Sequence, residues 1–114
     1  MSERMPRVNS ILHRVLAEEV ERLTDTRLEM VTLTGVETAP DLRNAVVYVD
    51  VLALDDRRPA LDALNRASRR LQAALGRQVR MKYTPALEFR IDPAVVSGTR
   101  IDQILKTLDQ AEEE

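Results

Sequence analysis

Seven of the eight residues from 45 to 52, Ala-Val-Val-Tyr-Val-Asp-Val-Leu, are apolar or aromatic, and Asp50 alone interrupts them. The run is far too short to cross a bilayer, and its density of valine favours extended backbone, so it reads as a β-strand. Nearly continuous apolarity predicts that much of this strand is covered on both faces, with Asp50 near the point where cover ends. Upstream, residues 30–38 carry Val31, Thr32, Thr34 and Val36 with Leu33 between them, a second β-branched segment. Between the two lies Ala39-Pro40-Asp41, where proline fixes φ and the aspartate can bond its own backbone, so an antiparallel hairpin is expected. Gly35 marks either a bulge or a close helix contact.

Helices must supply the cover. Val8, Ile11, Leu12, Val15, Leu16, Val20 and Leu23 recur at helical spacing, from Pro6, which can occupy a first helical position, up to Thr24-Asp25. A second helical stretch opens at Asp55-Asp56-Arg57-Arg58-Pro59, with acids before its start and proline early in the first turn. On a continuous wheel, Leu64, Ala67, Leu71, Ala74 and Leu75 share its core side. With Arg66 set at zero, those core residues fall between about 80° and 180°. Arg70 and Arg77 lie within about 40° of Arg66 and Arg69 about 60° to its other side, so the four arginines form one basic stripe away from the core. Gly76 is expected to weaken the end of this helix. A third, half-buried strand is predicted in Leu87-Glu88-Phe89-Arg90-Ile91-Asp92, stopped by Pro93. Ser97-Gly98-Thr99 can cap a short C-terminal helix outlined by Ile101, Ile104, Leu105 and Leu108. At 114 residues one domain is expected. It is α+β and two-layered: a three-stranded sheet with helices on one face, over residues 1–110, then a frayed acidic tail at 111–114.

The net charge of −2 conceals an asymmetry. Residues 57–82 hold eight basic side chains against Asp62 alone, a local balance of +7 that leaves the remainder at −9. Such a layout suits a protein whose basic stretch meets a polyanion, although a merely solvated helix face would carry the same residues.

Other chemistry finds little support. His13 is the only histidine, with no oriented partner, and reads as a surface or boundary residue. Cysteine is absent, which suits a reducing cytosol and removes thiolate metal sites; no ligand spacing suggests a metal, and Gly35, Gly76 and Gly98 are too isolated to cradle a nucleotide phosphate. Asp55-Asp56 is better read as helix solvation and capping than as a Mg²⁺ site. The three aromatic rings, Tyr48, Tyr83 and Phe89, are too few for an extended stacking platform; alternation assigns Phe89 to the core and leaves Tyr83 as the better contact. No cofactor and no catalytic residue is expected. The N-terminus lacks an apolar run after its charges, so a soluble cytoplasmic protein is expected, with monomer as the default state.

Several segments together resemble one family. Arg7-Val8, Val31-Thr32-Leu33-Thr34-Gly35-Val36, Asp41-Leu42-Arg43-Asn44-Ala45-Val46-Val47-Tyr48-Val49, Arg80-Met81-Lys82-Tyr83-Thr84-Pro85-Ala86-Leu87-Glu88-Phe89 and Gly98-Thr99-Arg100-Ile101 occur in the order and at the separations of bacterial ribosome-binding factor A. The resemblance implies a type II KH-like fold, of order α-β-β-α-α-β. It also implies binding to the 16S rRNA of the immature 30S ribosomal subunit, help with late assembly and 5′-end processing, importance in the cold, and a functional link to assembly GTPases. One position departs from the family pattern. Where the family interrupts its helix with Ala-x-Gly, this chain has Ala67-Ser68-Arg69; arginine favours continued helix, while Ser68 could satisfy a carbonyl freed by a bend.

Two functions follow as expectations. In the first, Arg66, Arg69, Arg70, Arg77, Arg80 and Lys82 bind RNA phosphates with Tyr83 as a further contact, and selectivity comes from RNA shape. In the second, the same domain is a protein-interaction module whose arginines meet acidic protein surfaces. A hydrolase built on the carboxylates is weaker, since no acid and base can be paired.

Overall fold

The computed structural model describes residues 4–94. The element order is helix α1 (Arg4–Glu21), strand β1 (Val31–Thr38), strand β2 (Asn44–Val51), helix α2 (Arg57–Arg66), helix α3 (Ser68–Gln78) and strand β3 (Ala86–Ile91), with short 3₁₀ turns at Thr26–Leu28 and Leu54–Asp56. The expected α+β order is therefore present through the third strand. The predicted C-terminal helix, its Ser97-Gly98-Thr99 cap and the acidic tail lie outside the described residues.

The sheet runs β1-β2-β3. β1 and β2 form the expected antiparallel hairpin, Val31 opposite Val51 and Thr38 opposite Ala45. Its turn closes with the Leu42 N–H donating to Ala39 O at 2.8 Å, and Leu42 adopts a φ of 64°, a left-handed conformation costly for a side chain with a Cβ. β3 lies parallel to β2, Asn44 beside Ala86 and Val49 beside Ile91. A parallel neighbour needs a crossover, and α2 with α3 supply it. Between Leu33 and Gly35 the β1 register shifts, so Gly35 belongs to a bulge; no close helix contact constrains it, and nothing lies within 4 Å of where its Cβ would be.

The core sits between the sheet and the three helices. Leu12 and Leu16 of α1, Leu64 of α2, Leu71 and Leu75 of α3, Val47 and Val49 of β2 and Phe89 of β3 are all essentially inaccessible. Truncation of one of the large residues among them to alanine should cost about 2–5 kcal/mol. The expectation for β2 needs correction. Ala45, Val47, Val49 and Val51 are buried, but Val46, Tyr48 and Asp50 are only half-buried, so helices cover one face of the strand and the other borders solvent. Its apolarity comes from being the middle strand, where flanking residues of β1 and β3 shield the open face in part.

α1 also closes the outer edge of β1. Asn9 Oδ1 accepts the Thr38 N–H at 3.0 Å, and His13 Nε2 lies 2.9 Å from Leu33 O, a bond that requires the ring proton on Nε2. His13 is thus a half-buried structural donor at the bulge, in keeping with its expected boundary role.

The second helical stretch is broken. Ala67, at φ −85° and ψ 0°, ends α2 and begins α3. Its N–H still reaches Ala63 O and Leu64 O, each at 3.1 Å, and its carbonyl accepts from Leu71 N–H at 2.9 Å, so the bend leaves these backbone groups satisfied without any bond from Ser68. A straight helix over residues 57–78 would run about 33 Å, whereas strands of six to eight residues span about 20–27 Å. The bend lets Ala60, Ala63 and Leu64 pack towards β3 and the Thr26–Leu28 turn while Leu71 and Leu75 reach α1 and β3. Arg69 therefore does not carry the helix through, because core packing outweighs a local propensity of a few tenths of a kcal/mol. Asp55 and Asp56 precede α2 as expected, but neither side chain caps it. α3 continues past Gly76 to Gln78, and a Cβ at Gly76 would lie 3.0 Å from Thr84 Oγ1, so this glycine admits the returning loop.

Candidate nucleic-acid interface

The seven predicted contact residues are all exposed, and none forms an ion pair with a described residue. Arg66 ends α2, Arg69 and Arg70 lie in the first turn of α3, Arg77 lies in its last turn, and Arg80, Lys82 and Tyr83 follow in the loop to β3. Because the helix breaks at Ala67, these residues do not form the single straight stripe of a continuous wheel. They divide into a group at the break and a group at the far end of α3.

At the break, Arg66 and Arg70 line a shallow cavity of about 330 Å³ with Arg27, Leu23, Thr24 and Asp25. Asp25 is engaged already: its carboxylate accepts Arg27 Nε–H at 2.9 Å and the Arg27 backbone N–H at 3.0 Å. Hydrogen bonding from the Arg27 side chain, then from its backbone, brings the Asp25 pKa down to about 2, with smaller Coulombic help from Arg27 and Arg66. This carboxylate therefore stays ionised and neutralises Arg27. Arg66 and Arg70 keep their donors free for an incoming anion.

At the other end, the Arg43 guanidinium carbon stands 4.5 Å from the centre of the Tyr83 ring and Lys82 Nζ stands 5.5 Å from it. Sequence reasoning misses Arg43. It sits in the β1–β2 turn, forty positions from Tyr83, and no linear pattern couples the two. The signal that could have found it is the register of β3: the Ala86 N–H donates to Arg43 O at 2.9 Å, which brings the turn against the loop.

Charge is also divided between the layers. The open face of the sheet displays Glu37, Asp50, Glu88 and Asp92 against Arg90. Arg90 is paired with Glu88 at 2.8 Å, Tyr48 donates its hydroxyl to Glu37 at 3.1 Å, and Thr34 donates to Asp92 at 2.6 Å. Arg57, counted in the basic stretch, instead reaches Asp50 at 3.5 Å and adds little to the cationic layer. An acidic sheet face opposite basic helices leaves one side of the molecule suited to a polyanion. No group of three or more histidine, cysteine or carboxylate side chains that could hold a metal occurs among the described residues.

Fold and charge layout together define a small KH-like α+β domain that presents unpaired cations on its helical layer. Residues 4–105 match the family model described as Ribosome-binding factor A, and the chain belongs to that family. It is 40% identical over 104 residues to ribosome-binding factor A of Rubrobacter xylanophilus, covering 90% of this chain and 85% of that protein. The crystal structure of ribosome-binding factor A from Thermus thermophilus superposes with a TM-score of 0.72 at 41% identity, over 76% of this chain and 94% of that one. A homology model of the Thermus thermophilus factor, fitted into a cryo-EM map of a 30S complex with it, gives a TM-score of 0.64 at 44% identity, over 75% and 91% of the two chains.

Proposed function

We propose that this chain is a non-enzymatic ribosome maturation factor that binds the 16S rRNA of the immature 30S subunit. Family membership supports the coarser part, a ribosome-binding factor of the small subunit, since the fitted relative sits in a 30S complex. The observation that carries the RNA reading is the set of exposed cations without an ion pair among the described residues: Arg66, Arg69, Arg70 and Arg77 on the helices that cover the other face of the sheet from its acidic side, and Arg80 and Lys82 in the loop that follows them. Phosphates neutralise these cations and release counterions, and the sheet face repels RNA, so the protein engages from one side. Selectivity comes from RNA shape. By binding one conformation of an assembly intermediate more tightly than others, the factor populates it during late assembly and 5′-end processing. A step driven by an assembly GTPase then releases the factor, which acts as a cytoplasmic monomer and matters most in the cold, where misfolded RNA is slow to escape.

The test is charge reversal at the break. The Arg66→Glu/Arg70→Glu variant should fold, because exposed substitutions of this kind alter stability by less than about 0.5 kcal/mol each. Its binding to purified 30S subunits should fall steeply, with a salt slope lower by roughly one unit for each phosphate no longer held. Arg22→Glu is the control, as Arg22 is exposed on α1's C-terminal side and already paired with Glu19. Arg43 is unsuitable as a control because it adjoins Tyr83. A folded double variant that bound as tightly as wild type would move the contact surface to Arg7 and Arg14 on α1, and binding indifferent to removal of RNA would favour a module for acidic protein surfaces.

A further inference from the structure

We infer that Arg43, Tyr83 and Lys82 form a stacking site for one unpaired nucleotide of RNA, the base laid on the Arg43–Tyr83 pair and the phosphate held by Lys82. The proposal rests on the RNA-binding reading above and adds to it a residue, a ligand class and a mode of contact.

The cluster is held in place from several directions. Thr84 O accepts from Gln72 Nε2 at 3.0 Å, and Pro85 is fully buried, which anchors the chain immediately after Tyr83. On the other side, the Arg43 backbone is tied to Ala86 through its carbonyl and to Asp41 Oδ1 through its N–H at 3.0 Å. Leu42, with its φ of 64°, turns the chain just before Arg43. A platform fixed on both sides loses little conformational freedom when a ligand arrives.

The side chains are nevertheless open. Tyr83 is 38% exposed, and of the three aromatic residues it alone is available on the basic side. Phe89 is 1% exposed, and Tyr48 lies on the acidic face with its hydroxyl committed to Glu37. Two cations share one ring, and neither has a carboxylate within ion-pair distance among the described residues. The ring's quadrupole attracts each cation, while the two repel one another, so an anion between them would relieve the repulsion. A guanidinium plane and a phenol ring are both surfaces on which bases stack.

Comparison of ligands selects the occupant. An acidic peptide would satisfy the cations and leave the ring unused. Duplex RNA would satisfy them through phosphates but offers no free base face. Only an unpaired nucleotide uses the charge and the ring together.

The protein contains two tyrosines and no tryptophan, so Tyr48→Phe leaves Tyr83 as the single emitter. This variant should be titrated with a single-stranded hexaribonucleotide of mixed sequence, an abasic RNA of the same length, a short RNA duplex and a polyglutamate peptide. The single strand should quench Tyr83 emission by about half or more, and the other three should not, because the single strand alone offers a free base to stack on the ring. In the otherwise wild-type chain, Tyr83→Leu should weaken single-strand binding about tenfold while sparing duplex binding. Arg43→Lys keeps the charge and removes the plane, and should weaken single-strand binding several-fold as well. Both variants should melt as the wild type does. Equal quenching by the abasic strand, quenching by polyglutamate, or unaltered single-strand affinity in both variants would overturn the stacking site. If duplex RNA and 30S subunits bind while Tyr83 emission stays silent, the stacking site alone fails; if no RNA and no subunit binds, the RNA reading fails and takes the site with it.

Discussion

Asn65 occupies, on the outer edge of β3, the place that the backbone of a further strand would take. Its Oδ1 accepts the Phe89 N–H at 3.0 Å and its Nδ2 donates to Phe89 O at 3.4 Å. One side chain thus satisfies both backbone groups of an edge residue whose own ring is buried in the core. Asn65→Ala should lower unfolding free energy by about 1–2 kcal/mol, the range for orphaning a pair of part-buried hydrogen-bonding groups. Asn65→Asp keeps the acceptor, loses the donor and should fall between. Urea denaturation measures both, and an alanine variant as stable as wild type would show that water replaces the bridge. Neither this bridge nor the approach of Arg43 to Tyr83 is legible in the sequence. A polar residue on a helix and an arginine in a turn carry no local mark of a partner 24 or 40 positions away.

Among the elements, the α2–α3 pair departs furthest from local expectation. The break at Ala67 places Arg69 in the first turn of α3, where its N–H has no intrahelical partner to lose and its cation faces the positive end of the helix dipole. Arg69→Gly should therefore cost less than about 0.5 kcal/mol, whereas Ala73→Gly, in the body of α3, should cost about 1 kcal/mol. Thermal or urea unfolding of the two variants decides the matter, and equal losses would mean that the helix runs straight in solution. Apolar spacing identifies α1 and the faces of α2 and α3, because each of those faces is local. It cannot locate the bend, which depends on the length of the sheet beneath.

For the molecule as a whole, the described residues set a basic α2–α3 layer against an acidic sheet face, an asymmetry that the net charge of −2 for the full chain conceals. The linear order of charges already separates a basic segment from an acidic remainder. It does not say that the acids of β1, β2 and β3 gather on one face, since that follows from strand alternation combined with register. Stability rests on the apolar core, with no group of three or more metal-ligand side chains among the described residues. A melting curve followed by circular dichroism should accordingly be the same with and without EDTA. A fall in melting temperature with chelator would reveal a metal that contributes to the fold.

Element order through the third strand, the hairpin, most of the buried residues and the position of the basic segment were all written in the chain itself. Each of these is encoded over a few consecutive residues, by apolar period, by turn chemistry or by charge count. Long-range packing settled that β3 lies parallel beside β2, that the long helix bends at Ala67, and that Arg43 joins Lys82 at Tyr83. These depend on contacts between residues far apart in the chain, where close packing against a sheet of fixed dimensions outweighs the small energies of local preference.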